Sequence, residues 1–151
     1  MNYLGHAYLS FQNNDILLGN LIADEIKGMK QLENFPITIQ KGILLHRKID
    51  QFTDEHGALK EIKKNFQPVY GLYSGAFIDV ILDFHIANDT TLFSTSNELQ
   101  IFATDTYERL AVNEQFFPDY FRKIFESMSK HNWLINYRKE IGILNAFKNL
   151  K

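Results

Sequence analysis

The stretch Ile37-Thr38-Ile39-Gln40-Lys41-Gly42-Ile43-Leu44-Leu45-His46-Arg47-Lys48-Ile49-Asp50-Gln51-Phe52-Thr53 decides how the chain folds. It follows Asn34-Phe35-Pro36, and a proline at the first turn marks a helix start. With Ile39 at zero and about 100° per residue, Ile43 falls at about 40°, Phe52 at about 220°, Leu45 at about 240° and Ile49 at about 280°. The apolar residues fill one arc, so the segment reads as a helix with a single buried face.

Outward from it the same period recurs. Asp15 to Lys27 and Ser74 to about Ala87 read as helices, and Thr95-Ser96-Asn97-Glu98 is a capping box ahead of Leu99 to Leu110. After Pro118, Phe121, Ile124, Phe125 and Met128 repeat at i, i+3, i+4, i+7. Pro36, Pro68 and Pro118 punctuate the helices. Strand-like alternation, internal repeats and Gly/Ser-rich linkers do not occur. The expected architecture is all-α, a single-domain helical bundle over residues 1–151.

The composition narrows the chemistry. Hydrophobic residues make up 45% of the 151 and aromatics 14%, which suits a folded core and excludes disorder as the main state. There is no cysteine, so thiol nucleophiles, Cys-type zinc sites and disulfides are out. A formal net charge of −2 argues against wholesale nucleic-acid binding. The N-terminus lacks the basic start and apolar run of a signal peptide, and no uncharged stretch approaches a membrane span. The expected address is the cytoplasm, with no membrane partner.

Polar residues stand where apolar ones belong. On the first helix His46 falls at about 340° and Asp50 at about 20°, inside the apolar arc, while Arg47 at about 80° and Lys48 at about 180° point outwards. A buried imidazole and carboxylate need partners. They read either as an internal i, i+4 ion pair or as metal ligands. In Phe77-Ile78-Asp79-Val80-Ile81-Leu82-Asp83-Phe84-His85-Ile86, Asp79 and Asp83 share a stripe of an otherwise apolar helix. Like charges one turn apart repel, and a divalent cation between them is the simplest remedy. His and carboxylates together suit Mn, Fe, Ni or Zn. His85 lies on another side. His6, in the apolar start, reads by itself as a hydrogen-bonded core histidine. Asp24 closes a hydrophobic run, Asp54 sits at the edge of the arc, and Lys60, Lys63 and Lys64 form a solvated face.

Several of these segments, in order along nearly the whole chain, resemble the acyl carrier protein phosphodiesterase family. They are Met1 to Leu9, Gly19-Asn20-Leu21-Ile22-Ala23-Asp24, Gly42 to Asp50 with Thr53-Asp54, Asp79-Val80-Ile81-Leu82-Asp83, and Trp133 to Arg138. The resemblance implies an all-α, metal-dependent hydrolase distantly related to the HD phosphohydrolases and active with manganese. Its reaction releases 4′-phosphopantetheine from a serine of acyl carrier protein. By position it implies Asp24, His46, Asp50, Asp79 and Asp83 as metal ligands. Asp24 doubles as a catalytic carboxylate, Arg47 partners the phosphate or a structural ion pair, and His6 donates a proton to the leaving serine. Acyl carrier proteins are small and acidic, which implies a basic docking surface; Lys27, Lys30, Lys41, Arg47, Lys48 and the three lysines after residue 59 all lie in the first half.

Two departures stand out. The family usually reads Asp-His-Phe-Leu-Ala where this chain has Asp83-Phe84-His85-Ile86-Ala87, displacing the histidine by about 100° around the helix. Family members also continue for several tens of residues past the equivalent of Phe147, so this sequence reads either as a natural short form or as part of a longer chain that lacks a terminal helix here. Two other functions fit the same residues: an HD-like phosphohydrolase acting on a nucleotide or small phosphodiester, and a helical binding protein without turnover.

Overall fold

A computed structural model describes residues 2–149 of the chain. Among the described residues there are helices and 3-10 turns and no strand. The expectation of an all-α protein is met. The order is α1 (Tyr3–Tyr8), α2 (Asn14–Ile22), a 3-10 turn at Ala23–Glu25, α3 (Gly28–Leu32) and α4 (Ile37–Glu55). There follow α5 (Gly57–Tyr70), a 3-10 turn at Gly71–Tyr73, α6 (Ser74–Asn88) and α7 (Ser96–Ala111). After a 3-10 turn at Glu114–Phe116 the chain ends in α8 (Asp119–His131), α9 (Trp133–Asn136) and α10 (Glu140–Asn149).

The local signals explain the boundaries. Thr95 caps α7, its hydroxyl accepting from the Glu98 amide at 3.2 Å, and Glu98 reaches back to the Ser94 amide at 2.7 Å. Pro36 and Pro118 stand immediately before α4 and α8. Pro68 differs from its expected place between helices. It lies inside α5, in the last turn before Gly71 ends the helix at a φ of 54°. α2 is also shorter than its apolar pattern, because the chain tightens into the Ala23–Glu25 turn.

α4 buries Ile39, Gly42, Ile43, His46 and Ile49, the centre of the expected arc. Phe52, at the edge of that arc, is 71% exposed. The backbones of α2 and α4 touch. A Cβ on Gly19 would stand 2.1 Å from the Ile39 carbonyl oxygen and 2.8 Å from the Gly42 Cα. One on Gly42 would stand 2.3 Å from the Ile16 carbonyl oxygen. Only two glycines facing each other permit that approach.

The buried apolar residues form two cores, one of them built around this crossing. One is built from Leu17, Leu18, Ile22, Ile39 and Ile43 with Leu110 and Phe121, the other from Leu4, Val80, Leu99, Ala103 and Leu134. α1 lies between them, with Leu4 in one core and Ala7 in the other. One stretch, Gly57–Asn88, is long and apolar enough by composition to cross a membrane, its most apolar 18 residues reaching a mean hydropathy of 1.2. It is divided at Gly71, and α5 folds back on α6, so that Leu59, Lys60 and Lys63 face Gly75, Ile78 and Asp79 across a small cavity.

The close crossing leaves no room for a side chain at Gly19 or Gly42. Gly19→Ala or Gly42→Ala is expected to lower the unfolding free energy by about 1–3 kcal/mol or more, since the obstacle is backbone. Gly57, at the start of α5, has nothing within 4 Å of a built Cβ. Gly57→Ala should instead stabilise by about 0.4–1 kcal/mol. Urea midpoints of the three variants check the contrast.

Candidate metal centre

The site forms where α1, α2 and α4 meet. His6 on α1 and His46 on α4 are both buried, at 2% and 6% exposure, and their rings stack in parallel with centroids 3.9 Å apart and 12° between planes. Asn20 on α2 touches both. Its Oδ1 lies 2.8 Å from Nδ1 of His6, and its main-chain oxygen 2.7 Å from Nδ1 of His46. With each Nδ1 engaged, each Nε2 faces the opposite way, towards Asp50.

Asp50 lies one turn beyond His46, as the wheel places it. Its Oδ1 is 3.1 Å from Nε2 of His6 and its Oδ2 3.0 Å from Nε2 of His46. Asp24, carried out to the surface by the Ala23–Glu25 turn, brings its Oδ1 to 3.3 Å from Nε2 of His46. Despite these distances, neither buried Nε2 makes a well-aligned hydrogen bond. Ligand atoms of His6, His46 and Asp50 all lie within 4.8 Å of one another. Two converging imidazole nitrogens without an aligned partner, beside a carboxylate, form a donor set that fits a divalent cation.

The charges respond to this crowding. Burial pushes His46 down, but the Asp24 and Asp50 carboxylates outweigh it and raise it to about 9. Burial pushes His6 down, and Asp50 only partly opposes it, while the charge on the stacked His46 ring pushes the same way. Contact with His46 holds Asp24 below its usual range. Burial raises Asp50, yet the two histidines overcome it and hold this carboxyl well below the ordinary range.

Beside the centre opens a cleft of about 490 Å³ lined by Asp24, Lys27, His46, Arg47, Asp50 and Asp54 among others. Arg47, outward on the wheel, is at the cleft. Its Nη2 donates to the Ile26 carbonyl at 3.1 Å and braces the loop that carries Asp24.

The two α6 aspartates are not brought into the histidine group. Asp83 is wholly buried and accepts three main-chain amides at the start of α1: Asn2 at 3.2 Å, Leu4 at 2.7 Å and Gly5 at 3.1 Å. Burial pushes its carboxyl up to about 7, against those amides. It answers the unpaired N–H groups of a helix start. Asp79 lies at the cavity under α5 with Asp54, Lys60 and Lys63, and burial, aided by the charges of Asp50 and Asp54, raises its carboxyl. His85 is exposed in the last turn of α6, against Phe84. His6, read alone as a core histidine and by resemblance as a proton donor, stands among the ligand atoms. Asn20 was not singled out as a site residue from the sequence; its signals were an amide side chain inside an apolar run and its place in the segment Gly19 to Asp24 that resembles the family.

Fold and centre together define an all-α protein with a histidine–aspartate site able to hold a divalent metal. A model of the acyl carrier protein phosphodiesterase family matches residues 1–151, and the chain belongs to that family. Among similar proteins, the acyl carrier protein phosphodiesterase of Enterobacter sp. (strain 638) is 29% identical over 139 residues, covering 92% of this chain and 72% of the relative. That of Salmonella paratyphi A is 27% identical over 150 residues, covering 99% and 77%, and that of Photorhabdus laumondii 25% identical over 150 residues, covering 99% and 75%. No solved structure matches the chain.

Two outcomes follow from the geometry. Asp83→Ala strips three amides at the start of α1 of their acceptor and should cost about 2–4 kcal/mol in urea unfolding, with weaker metal binding because His6 rides on α1. Asp83→Asn, which keeps one acceptor oxygen, should cost less. In metal-free protein, the stability that His46 contributes is full below its ordinary 6.5 and is lost as pH rises through about 9. His6, pushed down, acts in the other direction, its contribution present above 6.5 and lost as pH falls. Urea midpoints in chelator should therefore fall from pH 6.5 to above pH 9, and a saturating divalent cation should remove that fall by replacing the proton.

Proposed function

We propose that this chain hydrolyses the phosphodiester joining 4′-phosphopantetheine to serine in acyl carrier protein. The observation that carries the reading is the convergence of His6, His46 and Asp50 at a cleft, in a chain of this family. Acyl carrier protein is the partner on this reading, and Mn²⁺ the metal.

His6, His46 and Asp50 would hold the cation. Asp24 completes the set from the cleft side, because a carboxylate kept ionised by His46 is a poor base but a good ligand. Bound there, a divalent cation supplies positive charge against the phosphoryl oxygens and acidifies water. Arg47 and Lys27, both on the cleft wall, add charge of the sign a phosphodiester needs. Arg47 also keeps the Asp24 turn against α4 through the Ile26 carbonyl, so its loss loosens a ligand as well as removing a charge. The stacked rings, both buried, stand on the core side of the site. The chain's own contribution is thus a fixed ligand geometry with one open side, the cleft.

The test is the intact mass of holo-acyl carrier protein before and after incubation with the protein and Mn²⁺. Loss of the phosphopantetheine mass is expected, and chelator, His46→Ala or Asp24→Ala should abolish or greatly slow it. An unchanged mass with folded, metal-loaded protein would overturn the reading. Turnover of small phosphodiesters or nucleotides instead would point to the HD-like alternative.

A further inference from the structure

Asn20 is wholly buried and engages every polar atom of its side chain. Its Nδ2 stands 2.8 Å from the His6 carbonyl and 3.1 Å from the Ser10 hydroxyl oxygen. A carbonyl oxygen can only accept, so the amide nitrogen must occupy that side. Ser10 supports the same orientation, since its hydroxyl already donates to the His6 carbonyl at 2.7 Å and presents a lone pair to Nδ2. The amide oxygen therefore faces His6. It can only accept, and the His6 proton must sit on Nδ1. At His46 a main-chain carbonyl dictates the same result.

We propose that Asn20 is the positioning residue of the metal centre: its side-chain amide fixes His6, and its backbone carbonyl fixes His46, in the Nδ1–H form. Both Nε2 lone pairs then converge on the Asp50 side. The inference rests on the reading of His6, His46 and Asp50 as ligands. Histidine ligands usually donate their other N–H to a carbonyl or carboxylate, which sets tautomer and ring orientation. What is particular here is that one residue serves two ligands from two different groups. The backbone arm works only because α2 and α4 meet at Gly19 and Gly42, next to Asn20 and one turn before His46.

The two arms can be separated, because substitution removes the amide and leaves the carbonyl. The probe is Zn²⁺, a diamagnetic ion, with ¹⁵N-labelled histidine and long-range ¹H–¹⁵N correlation to read which ring nitrogen carries the proton. In the wild type both His6 and His46 should be Nδ1–H with Nε2 on zinc. In Asn20→Ala, His46 should be unchanged while His6 loses its single form, and zinc affinity against a competing chelator should fall about 10–100-fold. Asn20→Asp keeps an acceptor for His6 Nδ1 but sets a second oxygen against the His6 carbonyl, so it should retain the Nδ1–H form of His6 with weakened zinc affinity. A wild-type spectrum with the His6 proton on Nε2 would overturn the proposal, whether or not any variant folds. So would an Asn20→Ala protein with His6 and zinc affinity unaltered, while leaving the metal centre standing. Failure of the wild type to take up zinc would remove the centre and this role together.

Discussion

The backbones of α2 and α4 lie in contact at Gly19 and Gly42, and the site exists because of that contact. A Cβ at either place would overlap main-chain atoms of the other helix, so any larger residue forces the helices apart. The separation matters beyond packing. Asn20 follows Gly19 directly, and its carbonyl must stand within hydrogen-bonding distance of His46, one turn after Gly42. A shift of an ångström between the helices would break that bond and turn the imidazole away from Asp50.

α1 is the second constraint. It is six residues long, too short to be stable alone, and is held by its surroundings. Asp83 supplies its N-terminal amides with acceptors, Asn2 caps it locally, and Leu4 and Ala7 anchor it in two different cores. His6 is thereby pressed flat against His46. Two stacked imidazoles do not both carry charge easily, and the surroundings decide between them. The carboxylates favour the proton on His46, and burial keeps it off His6. A divalent cation between the same nitrogens would relieve the competition.

Much of this was legible from periodicity. The wheel of α4 placed His46 and Asp50 inside a buried arc, and both lie at the centre. The α7 capping box and the α8 repeat of Phe121 and Met128 appear where the pattern put them. The reading of α6 was correct about the burial of Asp83, only partly so for Asp79, and incomplete about cause. Two aspartates on an apolar helix suggested one shared cation, yet Asp83 meets the amides of α1 and Asp79 faces the cavity under α5. A wheel shows which face a residue is on and says nothing of what arrives opposite. α5 escaped notice because it buries no residue and its charged face hides the apolar one.

The sequence by itself determined the fold class, the segments and the chemistry, because helical period and residue type are local properties. It named His46, Asp50, Asp24 and His6 from pattern and family resemblance. Only the tertiary structure decided which of the candidates meet, since meeting depends on where helices distant in the chain cross. Asn20 illustrates the difference: in sequence it is an amide in an apolar run, and in space it holds two imidazoles at once. The physical reason is that hydrogen bonds across helices need positions fixed to a fraction of an ångström, and that precision comes from the Gly19–Gly42 contact and the packing around α1.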